Sequence, residues 1–183
     1  MYIIMNIILS ESNFNIDNIY FTEPIVNTIM ENSMFVKIIY SNKLITLNGL
    51  YLTMDIRVDN SELYFKKIKY TYDLKSSHNQ SILNNLYNIE SSILDKHACS
   101  KSKTKKYILH ETLKTGTIKI FPNQPNIHNN SLNTSLSNTP NHNQLTSHNQ
   151  STSHKYPYEF ILKISGIWEN ETEYGITYKL STS

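Results

Sequence analysis

Phe160-Ile161-Leu162-Lys163-Ile164-Ser165-Gly166-Ile167-Trp168, then Glu169-Asn170-Glu171-Thr172-Glu173, then Tyr174-Gly175-Ile176-Thr177-Tyr178-Lys179-Leu180 is the stretch whose reading decides the fold. Side chains alternate across a strand. Phe160, Leu162, Ile164, Gly166 and Trp168 therefore share one face, and Tyr174, Ile176, Tyr178 and Leu180 share one face of the next segment. The acidic, polar run between them suits a turn. A hairpin that closes a β-rich domain is expected.

The same periodicity recurs upstream. Leu50, Leu52, Met54, Ile56 and Val58 alternate with Tyr51, Thr53, Asp55 and Arg57. Residues 34–40 are apolar nearly throughout, as in a strand buried on both faces. Asn48-Gly49 lies just before the alternating strand as a turn signal, so these two segments are expected to pair. Glu62 to Tyr72 reads as a further strand, with tyrosines 64, 70 and 72 on one face and Leu63, Phe65, Lys67 and Lys69 on the other. Lys105–His110 and Gly116–Phe121 are shorter strand candidates, and Met1–Leu9 reads as a first strand. One helix stands out after Ser81, a plausible N-cap. Ile82, Leu86, Ile89 and Ile93 form its apolar stripe, widened by Leu83 and Leu94. Lys96 and His97 end it, where cations suit the helix dipole.

The 183 residues suggest one domain. There are 23 Asn and 21 Ser but one Arg, a vocabulary typical of AT-rich codons, which discounts arguments from Asn or Lys abundance. Four scattered glycines exclude a glycine-loop nucleotide enzyme, and Cys99 alone excludes an intrachain disulfide framework. Residues 122–155 run on Asn, Ser, Thr, His and Gln with no acid or aromatic. Such a stretch has too little apolar surface to repay its ordering entropy. It is read as a disordered insert in one discontinuous domain, 1–121 with 156–183. No membrane span or signal peptide is expected, because Met1–Leu9 is too short to cross a bilayer and lacks a basic flank. N-x-[ST] sequons such as Asn79 and Asn170 are expected by chance here.

Charge is uneven. Residues 1–60 carry a net −3, residues 61–121 a net +6 and residues 122–183 a net −1. Non-specific binding of single-stranded nucleic acid needs lysines for phosphates and aromatic faces for bases. Lys66, Lys67 and Lys69 with Tyr64, Tyr70 and Tyr72 form one candidate cluster. Lys101, Lys103, Lys105 and Lys106 form another, followed by Tyr107. The alternative is that an AT-rich vocabulary yields lysine and tyrosine freely, and that Lys96–Lys106 is a solvated loop. Trp168 either caps the core or stacks a base. The shortage of Arg favours backbone contact over base reading. His97, Cys99 and His110 lack the paired ligand spacing of a zinc site, and His142, His148 and His154 lie in the insert. Asp55/Asp59 and Glu171/Glu173 have no accompanying nucleophile or base. Neither a metal, a cofactor nor catalysis is expected.

Two stretches carry a resemblance. The first is Glu23-Pro24-Ile25-Val26-Asn27, leading to Asn32–Ser41 and Leu47–Tyr51. The second is Leu162–Glu169 followed by Glu173–Lys179. Together they resemble a family of small proteins of large nucleocytoplasmic DNA viruses, and the general plan is similar to phage-type single-stranded-DNA-binding proteins with an OB-fold. The resemblance implies an OB-like barrel, mainly β with one helix (a β-sandwich being the alternative). It implies binding of single-stranded DNA or RNA in viral DNA replication or repair, beside viral replication proteins, in the host cytoplasm, a viral factory or the nucleus. The chain departs from the phage-type pattern at Lys179-Leu180-Ser181-Thr182-Ser183, where those proteins carry an acidic tail. The competing expectation is a structural or protein-interaction component of a virus particle or factory. That reading calls for an exposed apolar patch or an unpaired strand edge.

Overall fold

The structure, a computed structural model, describes residues 8–97, 102–121 and 157–182. Lys101, Cys99, the insert 122–155 and most of the expected first strand lie outside the described residues. In chain order the elements are β1 (Leu9–Ser10), two 3-10 turns (Glu11–Asn13 and Ile16–Asn18), β2 (Ile19–Phe21), β3 (Ile25–Val26), β4 (Met34–Ser41), β5 (Thr46–Leu47) and β6 (Leu50–Arg57). There follow β7 (Asn60–Tyr64), β8 (Lys67–Thr71), α1 (Ser77–His97), β9 (Thr104–Lys106), α2 (Ile108–Leu113), β10 (Thr117–Ile120), β11 (Pro157–Glu169) and β12 (Glu173–Thr182). The chain is mainly β with one main helix, and the sheets do not close into a barrel. No helix among the described residues is long and apolar enough to cross a membrane.

The hairpin of β11 and β12 organises the larger, nine-stranded sheet. β12 lines one edge of β11 along its length. The other edge is shared: β6 pairs with residues 157–164 and β4 with residues 166–169. The expected pairing of β4 with β6 is thus corrected. β4 turns back at Asn42–Ile45 onto the short β5, and Gly49 then turns the chain onto β11. Gly49 has φ +104°, and a Cβ there would lie 2.8 Å from the Ile164 carbonyl oxygen, so only glycine fits.

A bulge at Ser165 changes which side chains face the core. Ile164 is opposite Tyr178, whereas Gly166 is opposite Thr177. Below the bulge Phe160, Leu162 and Ile164 are buried; above it Ile167 takes the core position. Trp168 is turned to the opposite face, so the single-face reading of 160–168 is corrected. β12 has no such interruption, and Tyr174 and Ile176 are buried as alternation expects.

α1 lays Ile82, Leu86, Ile89, Ile93 and Leu94 against the inner face of this sheet. It begins at Ser77, so Ser81 is inside the helix and does not cap it. The buried Asn79 explains the earlier start. Its side chain accepts from the Arg57 N–H (2.9 Å) and donates to the Arg57 and Asp73 carbonyls, tying the first turn to β6. The expected single strand 62–72 is the hairpin β7–β8, turned at Phe65 with φ +55°. With β10 it forms a three-stranded antiparallel sheet whose Tyr70 packs on Tyr158 and Phe160 of β11. The segment 105–110 is half strand and half helix. α2 is started from outside its own sequence: the fully buried Glu90 carboxylate of α1 accepts from the Leu109 N–H (3.0 Å) and the His110 N–H (2.9 Å).

Gly166→Ala is expected to lower stability by about 3 kcal/mol, the scale of severe overpacking. Its Cβ would come within 2.4 Å of Phe35 Cζ and 2.5 Å of the Val36 carbonyl oxygen. Urea denaturation against the parent chain checks this.

Burial pushes the Glu90 carboxyl above its ordinary 4.5, against the pull of the two N–H donors. Folding therefore favours the neutral acid. That contribution is full below 4.5 and is lost as pH rises through the folded value. Glu90→Gln should flatten this part of the stability-versus-pH curve. Glu90→Ala, which strands two buried donors, should cost about 2–4 kcal/mol at neutral pH. Urea denaturation from pH 4 to 8 measures both, and a Glu90→Ala variant as stable as the parent would show that the donors find another acceptor.

Candidate nucleic-acid interface

Alternation on the three-stranded sheet puts Ile68, Tyr70, Ile118 and Ile120 inward and Lys67, Lys69 and Lys119 outward, with Lys119 directly opposite Lys69. The lysines meet rings here. The Lys67 ammonium lies 4.6 Å from the centre of the Phe121 ring, and that of Lys119 lies 4.5 Å from the Tyr64 ring. Tyr64 in turn meets Phe65 edge to face at 4.9 Å. Phe121 and Phe65 are well exposed, and Lys66 at the hairpin turn is exposed beside them.

A cleft of about 740 Å3 opens between β10, α2 and the later part of β12. Lys67 from the first cluster and Lys106 from the second both line it, joined by Lys119, Lys179, Phe121 and Tyr178. The basic surface continues past the cleft: Lys179 is the register partner of Lys163, whose ammonium lies 5.0 Å from the Tyr51 ring. Among the described residues no carboxylate pairs with Lys67, Lys119, Lys179 or Lys66.

Other residues of the expected site serve the protein itself. Lys69 is bound to Glu62 at 2.8 Å, and the hydrogen bond to that carboxylate raises its pKa. Lys105 pairs with Asp95, whose carboxyl is held low chiefly by that hydrogen bond. Lys103 lies 3.6 Å from Glu169, and Lys106 lies 2.8 Å from Glu173 at the cleft wall. Tyr70 and Tyr72 are core residues, a correction to their expected stacking role. Tyr70 has its ring against Phe160. Tyr72 donates to the Leu113 carbonyl, and burial pushes its phenol above the ordinary range of tyrosine. Trp168 is 9% exposed and lies on the far side of the sheet from α1, away from the Lys67 cleft. Of the expected set, Lys66, Lys67 and Tyr64 remain on one surface without a carboxylate partner among the described residues, while Lys69 on the same face and Lys106 at the cleft wall are ion-paired.

Lys119, Phe121, Phe65, Lys163 and Lys179 are not among the site residues expected from the sequence. Alternation within Ile118-Lys119-Ile120 and Tyr178-Lys179-Leu180 carried a usable signal, since a lysine between two inward residues must point outward. His97 and His110, considered as ligands, have separate surroundings. His97 lies 3.3 Å from Glu169 and against Phe21, while His110 lies against Tyr87. Among the described residues no three His, Cys, Asp or Glu side chains are placed to share a metal ion. Comparison of the chain with known protein families, with curated proteins and with solved structures finds no match.

Proposed function

We propose that the chain binds single-stranded nucleic acid without catalysis, on the surface formed by the outer face of β7, β8 and β10 and the adjoining cleft. The observation that supports this reading most is the meeting in one cleft of Lys67, Lys119 and Lys179, which have no carboxylate partner among the described residues, with Phe121; Lys106 lines the same cleft but is paired with Glu173. Lysine ammoniums resting over Phe121 and Tyr64 place cations beside ring faces, the combination that backbone-tracking binders use. The reading does not require a closed OB-like barrel, only an open sheet with one basic, aromatic face. The resemblance of the two chain ends to a viral family gives the setting: viral DNA replication or repair, among replication proteins. Lysines without a matching set of arginines predict contact with phosphates and little sequence preference.

A second reading, as a protein-interaction component, is favoured by a separate observation. Ile25, Val26 and Ile29 are exposed together at the opposite part of the sheet.

Anisotropy titration of a labelled single strand tests the first reading. Binding should be salt-dependent, and Lys67→Glu with Lys119→Glu should weaken it about tenfold or more at low salt. Phe121→Leu should weaken it about fivefold or more, the lower end of the contribution of one stacked base. Lys69→Gln and Lys105→Gln should change it little, because those ammoniums already have carboxylate partners. Absence of binding at low salt, or equal losses for all four lysines, would overturn the assignment.

A further inference from the structure

The bulge at Ser165 has a second consequence on the outer face of the sheet. Two of the chain's four glycines, Gly166 and Gly175, leave notches there, and an aromatic ring fills each. Phe35 lies over Gly166, where a Cβ would come within 2.4 Å of its ring; Trp168 lies over Gly175, where a Cβ would be 3.1 Å from its indole nitrogen. These rings form the floor of a hollow of about 570 Å3. Its other wall is the segment Ile25–Met30, whose Ile25, Val26, Ile29 and Met30 are turned to solvent: Val26 is 74% and Ile29 94% exposed. Side chains of that kind in one place mark a contact surface.

Charge indicates what covers it. On the far side of Val26 a second hollow of about 440 Å3 is bounded by Ser33, Met34, Lys103, Glu169 and Glu171. Glu23 and Glu31 flank the segment Ile25–Met30 in sequence, and both are exposed, as is Glu171. None of these three has an ion pair among the described residues. The cations on this side are Lys103, already within 3.6 Å of Glu169, Lys37, the register partner of Gly166, and the cross-strand pair Lys163 and Lys179, which lies beyond Ser165 and Thr177 at the end of the hollow away from Glu171. An apolar hollow joined to an acidic one complements a segment that presents an apolar side chain beside a basic one.

We propose that this face is a docking site for a basic, apolar peptide segment of a partner protein. The apolar side chain seats on Phe35 and Trp168, and the neighbouring lysine or arginine meets Glu171 and Glu31. This site shares Tyr178 with the Lys67 cleft, and it does not rest on the nucleic-acid reading.

Trp168 is the chain's one tryptophan, so its emission reports the site directly. The full chain is titrated with a short synthetic peptide alternating leucine and lysine, and with its leucine–glutamate counterpart. The expected result is a saturable change in Trp168 emission with the lysine peptide and binding about tenfold or more weaker for the glutamate peptide. Val26→Asp, at an exposed position, should abolish the change, and Glu171→Lys should weaken it about fivefold or more without altering the emission of the free protein. Several outcomes would overturn the proposal. These are equal response to both peptides, no response, an emission that depends on protein concentration alone (a second copy as occupant), or a saturable response to a single-stranded oligonucleotide at Trp168. A failure of oligonucleotide binding in the earlier titration leaves this result unaffected, so the two assignments fail separately.

Discussion

Two strands share one edge of β11, and the crossing between them is the constraint on which the rest of the molecule depends. β6 ends its pairing at Ile164 and β4 begins at Gly166. There is no room for a Cβ at either glycine of this junction. Gly49 approaches the Ile164 carbonyl, and Gly166 lies beneath Phe35 and against the Val36 carbonyl. The extra residue Ser165 takes up the mismatch as a bulge, which rotates the following side chains by one face. Ile167 therefore enters the core and Trp168 leaves it. The same bulge closes the hydrophobic core beneath α1 and supplies an aromatic floor on the opposite face.

Lysine content alone was a poor guide to the binding surface because a lysine's role is set by its nearest carboxylate. Lys69, Lys103, Lys105 and Lys106 each lie within ion-pair distance of an acid. Such pairs near the surface contribute little stability, commonly below about 1 kcal/mol. They do, however, lower the charge available to a phosphate. Lys67, Lys119 and Lys179 reach the cleft without such a partner among the described residues. Two of these three come from the start of β8 and the end of β10, where register sets them on one face beside Tyr64 and Phe121.

Strand identity was legible wherever alternation ran uninterrupted, as in Leu50–Val58 and Tyr174–Leu180. It failed where the fold departs from periodicity without a residue that announces it. The β7–β8 turn is made by Phe65 at positive φ, with no Gly, Asn or Pro to mark it. The start of α1 depends on Asn79 reaching β6, and the start of α2 on Glu90 reaching it from α1. Both are tertiary hydrogen bonds, which no local pattern encodes. The burial of Tyr70 and Tyr72 was missed for the related reason that their strand was read as one segment. Once Lys67 begins a new strand packed on β11, alternation places Tyr70 inward.

The uneven charge along the chain becomes a separation in space. The acidic first part supplies Glu23 and Glu31 beside the segment Ile25–Met30, and the basic middle supplies Lys67 and Lys119 to the cleft. Ion pairs neutralise much of the ground between, at Lys103–Glu169 and Lys106–Glu173, where β9 lies along β12. A strand edge covered in this way resists pairing with other chains. The two surfaces also differ in kind. One carries cations over exposed rings, which suits an anion with π faces. The other is an apolar hollow bordered by carboxylates, from which the same anion would be repelled. β12 connects them, with Lys179 at the cleft and Ile176 and Thr177 at the hollow. A ligand at either surface thus bears on the strand that forms part of the other.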